Sequence, residues 1–168
     1  MTSVLPDILE PELRVVFCGS AAGTASARAK AYYAGPGNVF WSTLQFTGLT
    51  PVELQPAEFA RLAEFGIGLT DICKVLYGSD EEVGTVEFDV AGLQERIAAA
   101  EPGILAFNGK NAAQGALERA VRLGPQEEQI GGAEVWVLPS TSGRARRYWD
   151  IGPWLELADI CANRSDPD

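Results

Sequence analysis

The chemistry open to this chain is limited first by a missing residue type, because its 168 residues include no histidine. Ser-His-Asp and Cys-His catalysis, histidine-ligated metals and imidazole general bases are therefore excluded. Acid–base work falls to Asp, Glu, Lys, Tyr or backbone groups. Polar side chains of interest stand in three short motifs, which are GLTD ending at Asp71, FNGK holding Asn108 and Lys110, and PSTSGR ending at Arg144.

A fourth motif, GSAAG at residues 19–23, carries no reactive side chain at its tip. It follows the apolar run Leu13–Cys18, which we predict to be a buried strand. Small residues leave the backbone open to a ligand, and loops at the carboxyl ends of strands are usual ligand sites in α/β folds. If a site lies here, its chemistry must come from another part of the chain.

The elements that would position these motifs alternate between strands and helices. Apolar runs predict strands at Ile104–Phe107 and Glu134–Leu138, and residues 66–73 are a strand or a loop. Helical patterns cover residues 39–48 after Asn38, Pro56–Glu64, Asn111–Leu123, and a last helix from near Pro153. A further helix begins after Asp89, which we predict to cap it, and ends at Pro102. Residues 74–88 have the composition of a surface loop.

This alternation predicts an α/β fold, a three-layer α/β/α sandwich around a mostly parallel four-stranded sheet. In such a sheet the loops at the carboxyl ends of the strands meet at one edge. We therefore expect the four motifs to converge on one site. The whole chain, 1–168, is predicted to be one domain with loose tails at about 1–12 and 164–168.

Composition limits the classes of partner, covalent cross-link and cellular location that we expect for this protein. The net charge is −10, which argues against a broad nucleic-acid surface, yet Arg144, Arg146 and Arg147 lie within four residues and permit a small basic face. Three separated cysteines predict neither a disulfide framework nor a metal cluster. No secretion signal or membrane span is recognisable, so we expect a cytoplasmic protein.

Five motifs in register, GSAAG, AGPGNVFW, GIGLTD, AFNGK and LPSTSGR, resemble the thymine/mismatch-specific branch of the uracil-DNA glycosylase superfamily. The resemblance spans about residues 13–160. It implies hydrolysis of the N-glycosidic bond of a deaminated or mismatched base in DNA, without a metal or an organic cofactor.

The resemblance also implies residue roles. Base-binding residues would be Ser20, Ala21, Gly23, Tyr33 and Asn38, with Tyr33 stacking on the flipped base. For Asn38, a helix cap and a direct contact with the base remain alternatives. DNA-binding residues would be Lys110, Ser140, Thr141, Ser142, Gly143, Arg144 and Arg146. Among these, Arg144 would be the wedge that fills the gap left by the extruded base.

The departure from the family pattern is Ala21, which stands where relatives carry the Asn or Asp that positions the attacking water. Another residue takes over the water, a backbone carbonyl holds it, or the protein binds lesions without cleaving them. Asp71 is the first candidate for the takeover, either orienting water or accepting the N3–H of uracil, and Asn108 is the second. An N-cap or solvated role for Asp71 and a turn-forming role for Asn108 are the alternatives.

The function expected from these motifs is that of a monofunctional uracil-DNA glycosylase, acting as a monomer in base-excision repair. Its partner would be DNA containing uracil or another deaminated or mismatched base. Two other functions remain open: a catalytically silent module that binds lesions or abasic sites, and an α/β enzyme acting on a free nucleoside.

Overall fold

A computed structural model describes residues 3–85 and 87–164 of the chain. One sheet contains five strands: β1 (Val15–Gly19), β2 (Ile67–Asp71), β3 (Ile104–Asn108), β4 (Gly124–Ile130) and β5 (Ala133–Leu138). Their order is β2-β1-β3-β5-β4, and only the β4–β5 pair is antiparallel. The expected α/β class and mostly parallel sheet are confirmed, but the sheet has five strands rather than four.

The strand missed by sequence reasoning is β4, whose residues GPQEEQI are mostly polar. As an edge strand it pairs with β5 alone, and only its end residues Gly124 and Ile130 are buried. Its pattern therefore resembles a surface loop. The preceding helix α5 (Lys110–Leu117) is also shorter than the predicted Asn111–Leu123, because Glu118 takes a left-handed conformation that ends it.

The other helices are α1 (Thr24–Ala29), α2 (Phe40–Phe46), α3 (Asp80–Val83), α4 (Val90–Ala100) and α6 (Gly152–Arg164), with 3-10 helices at Pro56–Phe65 and Gly143–Tyr148. The predicted cap of α4 is confirmed, since the Asp89 side chain accepts a hydrogen bond from the Gly92 N–H. The short α3 lies within residues 74–88, which we expected to be a surface loop, and α1 follows the GSAAG loop directly.

Both faces of the sheet are buried, and alternate residues of each strand face opposite sides. Phe17 of β1 packs with α2 and α6, where Trp154 stacks on it at a centroid distance of 5.3 Å. Val16 and Cys18 face the other side and pack with α4 and α5. The sandwich of helices, sheet and helices is thus built from the period-two burial of the central strands.

The amino-terminal segment is not the loose tail that we expected. Leu5 is fully buried, and Ile8 pairs with Leu69 of β2 through two backbone hydrogen bonds of 2.9 and 3.0 Å. The segment therefore covers the free edge of β2. At the other end of the chain, Arg164 closes α6 and residues 165–168 lie outside the described residues.

Candidate active site

The four predicted motif loops leave the same edge of the sheet. Gly19 at the end of β1 is the partner of Asp71 at the end of β2, and Asn108 at the end of β3 is the partner of Leu138 at the end of β5. Parallel pairing brings these carboxyl ends together, as the strand pattern predicts.

Asp71 and Gly19 approach each other closely at this edge. A methyl group placed on Gly19 would lie 2.8 Å from Oδ1 of Asp71 and 3.4 Å from the hydroxyl of Tyr33. Real side chains do not tolerate the first distance. The glycine therefore makes room for a carboxylate that lies directly against the beginning of the GSAAG loop.

The Asp71 carboxyl is buried, with 4% of the residue exposed. Burial raises its pKa from 3.8 to about 6, because a charged group loses its hydration. Lys74 lowers the pKa, Asp7 raises it, and a backbone hydrogen bond from Gly19 and the charge of Arg96 lower it further. At neutral pH the group is mostly ionised and remains basic enough to take a proton.

Tyr33 places its phenol beside this carboxylate. Its backbone is left-handed, with φ at 52°, and its ring packs on Phe40 at a centroid distance of 4.1 Å. Burial and the charge of Asp71 raise the pKa of Tyr33, whereas the nearby Asn108 amide lowers it. The hydroxyl is buried and makes no hydrogen bond of good geometry within the described part of the chain. A donor of this kind can serve a ligand.

Asn108 ties two of the motifs together. Its Nδ2 donates to the hydroxyl of Thr141 at 2.9 Å, and its Oδ1 accepts from the Thr141 backbone N–H at 3.0 Å. The carbonyl of Thr141 in turn accepts from the Val39 N–H at 3.0 Å. Asn108 therefore braces the PSTSGR loop against β3 and the start of α2.

The GSAAG loop is held by the chain that follows β2. Gly19, Ser20 and Ala22 each accept a backbone hydrogen bond through their carbonyls, from Ile72, Cys73 and Gly78 respectively. Ala21 is half-buried and offers only a methyl group. The position of a side chain on Gly23 is open, with no atom within 4 Å.

The Ser20 side chain belongs to a polar group at the rim. Its hydroxyl accepts from Nδ2 of Asn111 at 3.0 Å. Partial burial raises the pKa of the neighbouring Asp80, against the lowering by Ser20, Asn111 and the charge of Arg144. The rim therefore brings together residues from the segments that follow β1, β2, β3 and β5.

Asn38 lies one residue before Val39, the N-cap of α2, and its Oδ1 accepts a hydrogen bond from the Phe40 N–H at 3.0 Å. This bond gives Asn38 a local structural role at the start of α2, where the Tyr33 ring packs on Phe40. Direct contact of Asn38 with a base stays a prediction.

The segment after β5 is basic and exposed. The hydroxyl of Ser140 accepts from the Ser142 N–H at 3.2 Å, and that of Ser142 accepts from the Arg144 N–H at 3.2 Å. The side chains of Arg144 and Arg146 are exposed, as is Lys110 at the start of α5. Their exposure leaves the three side chains open to solvent, and their contact with phosphates stays a prediction.

Sequence reasoning missed several polar residues around the site. They are Asp7, Lys74, Asp80, Arg96 and Asn111. Asn111 carries a usable signal, because it follows FNGK directly. Asp7 carries none, because its place depends on a pairing between distant segments.

The described residues contain neither a recognisable metal site nor a membrane-spanning helix. No group of three or more His, Cys, Asp or Glu side chains that could hold a metal ion is found among them. None of the helices in residues 3–85 and 87–164 is long and apolar enough to cross a membrane.

Comparison with known proteins links this geometry to one family. The family model described as "Uracil DNA glycosylase superfamily" matches residues 6–159. The fold is also similar to a solution NMR structure of a "putative Uracil DNA glycosylase from Methanosarcina acetivorans", with a TM-score of 0.65 and 25% sequence identity. That match covers 96% of this chain and 97% of the other.

Proposed function

The chain belongs to the uracil DNA glycosylase superfamily, and from that membership we propose that it hydrolyses the N-glycosidic bond of uracil flipped out of DNA. The observation that carries the proposal is the buried Asp71 carboxylate set against Gly19, at the entrance of a loop whose Ala21 cannot position water. A water-activating group is thus available beside a motif that lacks one.

Asp71 is the proposed general base. Its carboxylate takes a proton from water as the water oxygen forms a bond to C1′ of the deoxyribose. The electron pair of the C1′–N1 bond leaves with the uracil as an anion. The products are the free base, after protonation, and an abasic site in the DNA. Accepting the N3–H of uracil is the alternative role for the same carboxylate.

The leaving uracil anion needs fixed donors around its oxygens. The unpartnered Tyr33 hydroxyl and the backbone of Ser20 are the proposed donors, and Asn108 is assigned a positioning role through Thr141. The 2-oxo and 4-oxo groups carry the developing charge, so donors that need no reorganisation lower the barrier. Unmodified thymine is a poorer leaving group than uracil, which favours uracil and other deaminated bases as substrates.

DNA is gripped in this proposal by the loop after β5. Ser140, Thr141, Ser142 and Gly143 contact phosphates together with Lys110 and Arg146, while Arg144 enters the gap left by the flipped nucleotide. Its planar guanidinium can stack on neighbouring bases and donate to the widowed partner. Within the superfamily, the order of the motifs favours the thymine/mismatch-specific branch.

The test is base excision by the wild-type protein in excess over a labelled oligonucleotide. Uracil is placed opposite guanine, opposite adenine or in a single strand, and alkali then breaks the strand at abasic sites. The control oligonucleotide carries thymine paired with adenine at the same position. We expect strand breaks only with uracil.

Two outcomes would overturn the proposal. Retention of uracil DNA on a gel without strand breaks would indicate a silent lesion-binding module. Release of uracil from free deoxyuridine but not from DNA would indicate a nucleoside-acting enzyme.

A further inference from the structure

Residues 4–8, called here the amino-terminal strap, form hydrogen bonds with the chain just before and just after Asp71. Ile8 pairs with Leu69, two residues before Asp71, and the Val4 N–H donates to the Lys74 carbonyl at 2.7 Å, three residues after it. The strap therefore covers the edge of β2 next to Asp71, the proposed general base.

The strap carries one carboxylate into this region, that of Asp7. Its Oδ1 lies 2.7 Å from Nζ of Lys74 and accepts from the Thr70 hydroxyl at 2.8 Å. Its Oδ2 lies 3.3 Å from Nε of Arg96. Asp7 thus holds both cations that stand nearest to Asp71.

These cations have further partners that keep them in place. Nη2 of Arg96 donates to the backbone carbonyl of Asp71 at 3.0 Å, and Nζ of Lys74 donates to the Tyr32 hydroxyl at 3.2 Å. Neither cation forms an ion pair within 4.0 Å of the Asp71 carboxylate, nor does any other cation in the described residues. The carboxylate is left free of a direct counter-ion.

An unheld lysine would change this arrangement. Opposite charges attract more strongly in a buried site than in water, so a released Lys74 would be drawn to the buried Asp71 carboxylate. A carboxylate paired in that way is a weaker base and has less access to water.

We propose that Asp7 is a positioning residue that holds the charged ends of Lys74 and Arg96 away from the Asp71 carboxylate, so that this carboxylate stays free to accept a proton from water. The catalytic part of this inference rests on the proposed function. The charges agree with it, since Asp7 raises the pKa of Asp71 whereas Lys74 and Arg96 lower it. The titratable or charged groups facing Asp71 are Asp7, Cys18, Tyr32, Tyr33, Lys74 and Arg96.

The direct test follows the NMR signal of the Asp71 carboxyl carbon as a function of pH, in the absence of DNA. The signal is assigned by its loss in Asp71→Asn. In Asp7→Asn we expect the midpoint to fall by about one pH unit, because the negative charge of Asp7 is lost and the cations are released toward Asp71. In the double variant Asp7→Asn with Lys74→Met, most of that fall should disappear, because the approaching cation is gone. Glu10→Gln removes an exposed carboxylate just beyond the strap and should leave the midpoint unchanged.

A midpoint in folded Asp7→Asn equal to that of wild type would overturn the inference, and so would a fall that persists fully in the double variant. If Asp7→Asn does not fold, Lys74→Met alone decides: its midpoint should rise, and an unchanged midpoint refutes the electrostatic coupling.

The second readout is the pH dependence of uracil excision. The acid limb of the Asp7→Asn rate profile should move to lower pH in step with the titration. If the wild-type protein excises uracil but Asp7→Asn leaves the Asp71 titration midpoint unchanged, the role of Asp7 is refuted and the proposed glycosylase function is retained. If the Asp71 midpoint shifts as expected but neither the wild type nor any variant excises uracil, the proposed glycosylase function is refuted and the effect of Asp7 on Asp71 is retained.

Discussion

Asp71 is ionised at neutral pH in surroundings that disfavour charge. Burial raises its pKa from 3.8 to about 6, so the native state binds this proton more tightly than the unfolded chain does. Between about pH 4 and pH 6 the contribution of Asp71 to stability therefore falls as pH rises, and above pH 6 the full cost is present. The residue that serves the proposed chemistry weakens the fold.

Replacing Asp71 by Asn should remove that cost. A difference of about two pKa units corresponds to roughly 3 kcal/mol, so Asp71→Asn should be more stable than wild type by up to this amount at pH 8. At about pH 4 the two proteins should be nearly equal. Urea unfolding at both pH values measures the difference, and equal stability at pH 8 would show that Asp71 bears no burial cost.

Gly19 tests the close approach in the site. Gly19→Ala would put a methyl group 2.8 Å from Oδ1 of Asp71, so we expect the carboxylate to be displaced and excision to fall by roughly 100-fold. Gly35→Ala is the matched control, because its added carbon meets its nearest neighbour at 3.9 Å, an ordinary contact. Comparable rates for the two variants, with both folded, would argue against tight packing at Gly19.

At the level of elements, the loop after β5 is built as a separate arm of the site. Asn108 and Thr141 fix its base through two hydrogen bonds, whereas its 3-10 helix Gly143–Tyr148 contains no buried residue. Arg147 lies 5.9 Å from the ring of the exposed Tyr148. A loop whose start is fixed and whose far end is exposed, basic and aromatic is suited to contact with DNA.

Arg144→Ala should weaken excision from duplex DNA more than from a single strand, because only a duplex has a gap for the wedge to fill. We expect a loss of about tenfold in kcat/KM on duplex, equivalent to about 1.4 kcal/mol. Arg122→Ala, which removes an exposed arginine beside the edge strand β4, is the charge-matched control. Equal losses on both substrates would contradict the wedge assignment.

The elements also mark where sequence reasoning succeeds. The central strands were predictable because they are buried on both faces and contain continuous apolar runs, such as Ile104–Phe107 in β3. The edge strand β4 was not, because a strand with one neighbour and little buried surface has no such pattern. The end of α5 at Leu117 depends on the left-handed conformation of Glu118, which the residue type does not predict.

For the whole molecule, the motif loops were predictable because parallel strands deliver their carboxyl ends to one edge. The electrostatics of the site were not, because Asp7 reaches Lys74 and Arg96 only after the strap pairs with β2. The net charge of −10 likewise says little about the site, since Arg144, Arg146 and Arg147 form a local basic segment on an acidic protein. Long-range pairing, rather than local pattern, decides both features.

The most direct measurement is the single-turnover rate of uracil excision between about pH 4.5 and pH 8.5, for wild type and Asp71→Asn. Below a midpoint near pH 6 the wild-type rate should rise about tenfold per pH unit and then level off, as Asp71 ionises. Asp71→Asn should be at least roughly 100-fold slower at pH 8 and should lack this rise. Excision by Asp71→Asn at the wild-type rate would contradict the account.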